Sequence, residues 1–196
     1  KRWAIHQDGF AAYRVTPDWN DRGPNFALHV DEICAGTPIA FASLWRFLLD
    51  LDLTREISYG QAWLDDPLSA LLLDPRGVSL AVKDHVWLRI VDLDRAIGLR
   101  SYSARARVVV EITDSFCPWN AGTWALDLSE TGGSVARTEA VAGVRLDIRD
   151  LAACFYGGTP LHRLVTAGLV AGDPGALQEL GAALATPMAP WCPEGF

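Results

Sequence analysis

The sequence predicts an α+β protein in which short strands come first and short helices close the chain. Three observations support this fold class. An Asp-Gly turn lies between two apolar runs within 3–15, which is a strong signal for a β-hairpin. Apolar residues recur at helical spacing behind Thr37-Pro38, a capping residue followed by proline. The same pairing of a capping residue with proline recurs at 159–160 and 173–174.

The first part of the chain reads as strands interrupted by two helices. We expect a hairpin around Gln7–Gly9, a strand over 26–36, a helix over about 38–51, a strand over 55–64 and a helix from Asp66-Pro67 to Leu73. A strand, a tight turn and a second strand are predicted over 78–92. A boundary between two domains is expected near 75–85.

The second part reads as a sheet followed by three short helices. A short helix in 93–102 precedes strands expected over 105–113, 122–130, 134–139 and 144–148. Helices are then expected over 151–157, 161–168 and 175–185, with Asp150 just before the first of them.

Composition limits the classes of partner. The net charge is −7 and half of the residues are hydrophobic. Phosphate backbones attract basic surfaces, so we expect no nucleic-acid partner. The acidity suits a cationic ligand such as an amine, although it also serves solubility alone. No run of 18 uncharged apolar residues occurs, so no membrane span is predicted.

Local motifs indicate neither a metal site nor a common catalytic site. The four cysteines (Cys34, Cys117, Cys154 and Cys192) lack the paired spacing of structural zinc ligands. We expect them to be buried free thiols in a reducing cytoplasm. Dinucleotide, P-loop, zinc-protease and nucleophile-elbow motifs are all absent from the sequence.

Two aromatic stretches could either bind a ligand or pack within their own domain. The loop "DSFCPWNAGTW" at 114–124 could form a binding rim, but a loop packed under its own aromatic side chains is the simpler interpretation. The chain ends in "WCPEGF", in which Pro190 and Pro193 restrict the backbone and Trp191 and Phe196 supply apolar anchors. These anchors could simply hold the C-terminus against its own domain.

Three stretches, at 37–53, 65–102 and 167–196, resemble in series the Eis (enhanced intracellular survival) family of N-acetyltransferases. The resemblance implies a GNAT-like mixed sheet with helices over 1–80, truncated at its N-terminus. It implies a sterol-carrier-protein-like α/β domain over 81–196. The chain does not begin with methionine, and the resemblance implies that the catalytic GNAT domain that precedes these two in the family is missing.

The resemblance also implies an activity. Family members use acetyl-CoA to acetylate amines, notably aminoglycosides, and assemble as hexamers. Their C-terminal carboxylate acts as general base, which places that role on Phe196, while the general acid is a tyrosine of the missing domain. We therefore assign that acid role to none of the four tyrosines here, and we expect the isolated chain to be inactive.

The chemistry of the tail fits such a base. An α-carboxylate has an ordinary pKa of about 3.5, and apolar surroundings would raise it toward neutrality. We place Trp191 and Glu194 in substrate binding, because a carboxylate can hold an ammonium group, although a simply solvated Glu194 is the plainer alternative. The acidic residue is often penultimate in the family, whereas Gly195 holds that place here.

The sterol-carrier resemblance leaves an alternative function open. Apolar residues at helical spacing within 161–165 and 177–184 would suit helices that enclose a lipid. The same spacing is common to any helix that faces a core. A non-catalytic module that binds a lipid or another small molecule is therefore the second hypothesis.

Overall fold

The computed structural model describes residues 1–194, which form two compact units. One unit comprises Lys1–Val82 together with Pro193 and Glu194. The other comprises Lys83–Cys192. Each unit has its own hydrophobic core, and both combine a mixed sheet with helices, as the fold class predicted.

A four-stranded sheet with the order β1-β2-β5-β6 organises the first unit. Its strands are β1 (Arg2–His6), β2 (Gly9–Thr16), β5 (Phe26–Ala35) and β6 (Thr54–Tyr59). The first three are antiparallel, and β6 runs parallel to β5. A two-stranded ribbon, β3 (Trp19–Asn20) with β4 (Gly23–Pro24), lies between β2 and β5 in sequence.

The predicted hairpin and helix of this unit are confirmed. Gly9 starts β2 where a Cβ atom would lie 2.3 Å from the Cys34 carbonyl oxygen, so only glycine fits. Helix α1 (Pro38–Leu49) provides the crossover between β5 and β6. Its buried residues form one stripe against the sheet: Ala40, Phe41, Leu44, Trp45 and Leu48.

Two elements of the first unit are shorter than predicted. The strand expected over 55–64 ends at Tyr59, where the pairing with β5 ends. The helix expected to reach Leu73 is one turn, α2 (Leu68–Leu71), because Leu72 already has extended backbone angles. A 3₁₀ turn follows at Pro75–Gly77.

The strand-turn-strand prediction for 78–92 is wrong. This segment has no regular secondary structure, and no described strand pairs with it. Its apolar side chains are mostly exposed, including Leu80, Val82 and Trp87. A strand requires hydrogen-bond partners on a neighbouring strand, so β-branched and aromatic composition alone did not determine the structure here.

The second unit contains a five-stranded sheet with the order β11-β10-β7-β8-β9. Its strands are β7 (Ala106–Thr113), β8 (Gly122–Ser129), β9 (Gly132–Arg137), β10 (Val144–Asp147) and β11 (Ala171–Gly172). The meander from β7 to β9 is antiparallel, and β10 lies parallel to β7. The sequence had predicted all of these except β11.

Four helices complete this unit: α3 (Leu93–Gly98), α4 (Ile148–Phe155), α5 (Leu161–Thr166) and α6 (Pro174–Leu184). Helix α4 begins earlier than predicted, because the carboxylate of Asp147, not Asp150, accepts from the Arg149 N–H and caps it. Helix α6 packs on β7, and its buried Leu180, Ala183 and Leu184 join the core.

A buried carboxylate organises the loop between β7 and β8. The Asp114 side chain is 0% exposed and accepts hydrogen bonds from the backbone N–H groups of Phe116 and Cys117. It also accepts from the Asn120 amide and from the Arg89 guanidinium. Burial alone raises the pKa of Asp114, but these donors outweigh it and hold that pKa below its ordinary value.

Asn120 extends this network to helix α3. Its side-chain oxygen accepts from the Leu93 N–H at 3.1 Å, and its amide donates to the Val91 carbonyl at the same distance. Buried polar groups carry little cost when each has a partner. Asp114 and Asn120 therefore join the segment before α3 to the β7–β8 loop.

We predict that Asp114→Ala lowers the free energy of unfolding of the second unit by about 3–5 kcal/mol, because it leaves the partly buried Arg89 cation and several donors unpaired. Hydrogen exchange of the β7 amides measures this unit specifically. The matched control is Asp127→Ala, which breaks an exposed pair with Arg107 and should cost less than about 1 kcal/mol. Equal losses for the two variants would contradict this assignment.

The depressed pKa of Asp114 also predicts a pH dependence. The unfolded chain binds this proton at about pH 3.9, whereas the folded chain binds it only at lower pH. The stabilisation is therefore complete above about pH 4 and is lost as the pH falls through the folded-state value. The Asp114→Asn variant should lose less stability than the parent between pH 5 and pH 2 in urea titrations. A parallel decline in both proteins would contradict the prediction.

Candidate functional site

The chain that leads into the C-terminal tail is fixed at its root, which we define as residues 183–186. The Arg100 guanidinium donates to the Leu184 carbonyl oxygen at 2.8 Å. Ser103 donates through its backbone N–H to the Ala183 carbonyl and through its hydroxyl to the Ala185 carbonyl, at 3.1 and 2.5 Å. These donors satisfy carbonyl groups that the end of α6 would otherwise leave unpaired.

A glycine turn after α4 receives the next residues. Gly157 has a φ of +80°, and a Cβ atom there would lie 2.0 Å from the Thr186 hydroxyl oxygen. A Cβ atom on Gly158 would lie 3.4 Å from Pro190. At position 157 only glycine allows this close approach of Thr186, whereas the contact at Gly158 is of ordinary van der Waals length.

The end of the tail carries the residues that the sequence singled out. Residues 187–194 have no regular secondary structure. The Trp191 side chain is 46% exposed, so it is not a fully buried anchor, and Glu194 is also exposed. Phe196 and Gly195 lie outside the described residues. The functional roles of Trp191, Glu194 and Phe196 therefore stay predictions.

A cavity of about 520 Å³ lies beside the tail root in the second unit. We call it the apolar cavity. Its wall comes mainly from α5 and α6, with Leu161, Val165, Leu177 and Leu184 as the large apolar members. Cys154 also lines it, and burial raises the pKa of this thiol to about 11. Cys154 is therefore a protonated wall residue near neutral pH, not a nucleophile.

The turn between β5 and α1 precedes a helix, which is where the phosphates of acetyl-CoA could bind. A helix N-terminus binds phosphate through free backbone N–H groups. Here Pro38 has none, the Ala40 N–H donates to the Thr37 hydroxyl at 3.2 Å, and the Gly36 N–H donates to the Asp8 carbonyl at 2.8 Å. Most donors of this turn are thus used within the protein, and the turn does not fit a pyrophosphate.

Two tyrosines are poor acids near neutral pH. Burial raises the pKa of Tyr59 to about 12, and the nearby charge of Asp66 acts in the same direction. Burial also raises the pKa of Tyr102 to about 12, and its hydroxyl donates to the Ile97 carbonyl at 3.0 Å. A catalytic acid works best with a pKa near the operating pH, so neither residue suits that role.

The 114–124 loop is well ordered by hydrogen bonds, but its aromatic rings are only partly packed. Arg137 donates to the Trp119 and Ala121 carbonyls at 2.6 Å and lies over the Trp124 ring. Phe116 and Trp119 remain 75% and 59% exposed. The loop backbone is thus fixed as predicted, whereas two of its rings face outward as a rim.

Within residues 1–194, no three His, Cys, Asp or Glu side chains gather where they could hold a metal ion. None of the four cysteines forms a disulfide bond, but only Cys117 and Cys154 are buried. Cys34 is exposed and Cys192 is partly buried, so the expectation of burial was wrong for these two. None of the helices described has the length and hydropathy that spanning a bilayer requires.

The residues that fix the tail root were missed by the sequence analysis. Arg100 and Leu184 are 84 positions apart, and no local motif marks either of them. Ser103 and the Gly157 turn gave no sequence signal either. Only the packing of α6 beside the segment 100–103 brings these groups together.

Two domain families match the chain. The model of the acetyltransferase (GNAT) domain matches residues 2–90. The model of the sterol carrier protein domain matches residues 93–193, which is more than half of the chain.

The curated relatives are N-acetyltransferases. An uncharacterized N-acetyltransferase of Streptomyces avermitilis is 39% identical over 189 residues, covering 96% of this chain and 46% of that protein. The N-acetyltransferase Eis of Mycobacterium tuberculosis is 32% identical over 166 residues, covering 83% of this chain and 38% of that protein. The chain spans less than half of the length of these relatives.

A solved structure gives the same result. Eis1 from Mycobacterium abscessus aligns with a TM-score of 0.81 and 34% identity, covering 98% of this chain and 49% of that one. The alignment extends through both units. With its GNAT and sterol carrier protein domains in this order, the chain belongs to the Eis family of N-acetyltransferases.

Proposed function

We propose that this chain is the C-terminal part of an acetyl-CoA-dependent amine N-acetyltransferase whose substrates are polyamines of the aminoglycoside type. The observation that carries the proposal is the fixed root of the tail. Arg100, Ser103 and the Gly157 turn hold residues 183–186, so the chain end leaves the unit from a defined position. A catalytic group at a terminus needs such support, because free termini fray.

The terminal carboxylate of Phe196 is the proposed general base. It would take a proton from the substrate ammonium group. The neutral amine then attacks the acetyl carbonyl carbon, a C–N bond forms and the C–S bond breaks. The nitrogen gives up its second proton, which the departing CoA thiolate takes up, and the carboxylate releases the first proton to solvent. General base catalysis of this kind contributes roughly 10²–10⁴-fold to a rate.

Trp191 and Glu194 are proposed to bind the substrate. A polyamine carries several ammonium groups, of which only one loses its proton in a turnover. The exposed Glu194 carboxylate can accept a charge-assisted hydrogen bond from another. The half-exposed indole of Trp191 offers an aromatic face to a cation. The net charge of −7 favours the approach of such a substrate.

Acetyl-CoA is proposed to bind mainly to a GNAT domain outside these 196 residues. Support comes from the β5–α1 turn, where Pro38 and the Thr37 cap leave few N–H groups for a phosphate. The greater length of the relatives would accommodate a further domain. The GNAT-like unit described here would then be a scaffold without its own acetyl-CoA site.

We also propose the domain limits, the assembly and the location of the protein. The family resemblance supports the domain limits of 1–80 and 81–196 and the hexameric assembly, and the lack of disulfide bonds among the cysteines supports a cytoplasmic location. The missing N-terminal GNAT domain would be the main partner within the whole protein.

The apolar cavity supports a second candidate function. Its volume of about 520 Å³ and its wall of leucine and valine side chains suit a neutral apolar ligand. A non-catalytic carrier module of the sterol carrier type would use this cavity and would not need the C-terminal carboxylate.

We predict that adding one alanine after Phe196 in the full-length enzyme lowers kcat by about 10²–10⁴-fold, because the carboxylate moves by one residue. The release of CoA thiol measures the rate, and the melting temperature should stay unchanged. Glu194→Gln is the matched control. It keeps the terminal carboxylate and should raise KM for a polyamine more than it lowers kcat. An extended enzyme with parental turnover would contradict the base assignment.

We predict that the isolated 196-residue chain neither acetylates an aminoglycoside nor binds acetyl-CoA in isothermal titration calorimetry, because the phosphate-binding turn is not in it. Turnover by the isolated chain would refute the proposal that acetyl-CoA binds to a domain outside these 196 residues.

The carrier hypothesis predicts instead that a fluorescent neutral sterol binds to this chain. That binding should disappear in Val165→Trp, which fills the apolar cavity.

A further inference from the structure

A second cavity of about 520 Å³ lies in the second unit, and its wall is basic. We call it the basic cavity. The segment 88–92, helix α3 and the end of α4 form it. Three arginines line it, namely Arg89, Arg95 and Arg100, together with the single carboxylate of Asp92.

Arg89 has one hydrogen-bond donor in this wall, its Nε–H group, that lacks an acceptor among the described residues. One terminal nitrogen of its guanidinium donates to the buried Asp114 carboxylate, which fixes the side chain. Its Nε atom is buried and has no acceptor among the described residues. A buried N–H group without a partner costs free energy that an acceptor would recover.

Arg100 also has a buried N–H group without an acceptor, and unlike Arg89 it has no carboxylate partner among the described residues. It donates only to the carbonyl oxygens of Leu184 and Ser101, at 2.8 and 3.2 Å. Its guanidinium lies over the rings of Tyr102 and Phe155, at 4.9 and 5.2 Å from their centroids. The Nη1 atom is buried without a partner, and no described carboxylate bonds to this side chain. Burial accordingly lowers the pKa of Arg100.

The charge of the wall favours an anion. Asp114 neutralises Arg89, and the Asp92 carboxylate, which accepts from the Arg95 backbone N–H, balances one further arginine. One positive charge is left in excess, on a chain whose net charge is −7. A local excess of positive charge in a concave site attracts anions.

The rest of the wall is apolar. Phe155 and Tyr156 contribute aromatic rings at the end of α4, and Leu88 and Leu99 contribute aliphatic side chains. An inorganic anion would leave this surface uncovered. The wall therefore matches a molecule with one anionic group and an apolar body.

We propose that the basic cavity binds a small organic anion, a single carboxylate carried on an apolar chain. The carboxylate oxygens accept from Arg89 and Arg100, and Arg95 adds its charge at the exposed side. The apolar chain lies against Phe155 and its aliphatic neighbours. Binding requires the Arg89 and Arg100 guanidinium groups to turn on their existing contacts so that the buried N–H groups reach the ligand carboxylate. The single excess charge matches a monoanion better than a phosphate ester.

Isothermal titration calorimetry of the 196-residue chain with octanoate tests this proposal. We expect saturable binding at one site. Octan-1-ol, which lacks the charge, and inorganic phosphate, which lacks the apolar body, should each bind at least tenfold more weakly. Arg95→Gln should weaken octanoate binding at least threefold and Arg100→Gln at least tenfold. The matched control is Arg163→Gln, an exposed helical arginine outside the cavity, and it should bind as the parent does.

Several results would overturn the proposal. One is equal affinity for octanol and octanoate, and another is parental octanoate binding in both Arg95→Gln and Arg100→Gln. A third is a Val165→Trp variant that no longer binds octanoate while Arg95→Gln binds it as the parent does. That result would place the ligand in the apolar cavity. Arg100 also supports the tail root, so its variant is first checked by its melting temperature. If the Arg100→Gln variant does not fold, the Arg95→Gln variant and the comparison of octanol with octanoate still test the proposal.

Discussion

Asp114 carries a negative charge inside the second unit, and four donors from two parts of the chain surround it. A buried carboxylate is tolerated only when its partners are in place together. The same network therefore fixes the β7–β8 loop, the segment before α3 and the side chain of Arg89. Through Asn120 it also fixes the start of α3 at Leu93. The rim of Phe116 and Trp119 and the wall of the basic cavity both depend on this one enclosed charge.

The β5–α1 turn belongs to the crossover of an acetyltransferase fold but has few free N–H groups that could bind a phosphate. The crossover from β5 through α1 to β6 is formed and its helix is capped, but the cap uses the N–H groups that a phosphate would need. Fold alone does not determine activity, because function depends on particular groups at a site. In this unit the turn supports structure, because its N–H groups serve the helix cap and the neighbouring strand and not a phosphate.

The end of α4 connects the two cavities of the second unit. Cys154 lines the apolar cavity, whereas Phe155 and Tyr156 line the basic one, because successive helical residues point about 100° apart. Arg100 lies in the wall of the basic cavity and also holds the Leu184 carbonyl at the tail root. One side chain thus contributes both to a ligand-binding wall and to the position of the C-terminal segment.

The amino-acid sequence by itself determined the elements whose signals are local. The Asp-Gly hairpin, helix α1 behind Thr37 and the β7–β9 meander could all be predicted, because caps, turns and side-chain periodicity act over a few residues. Tertiary structure decided the rest. The segment 78–92 found no strand to pair with, and Asp147 rather than Asp150 capped α4. Arg100 met Leu184 across 84 positions, and Arg89 met Asp114 across 25. Such contacts depend on how distant segments pack, which no short stretch of sequence encodes.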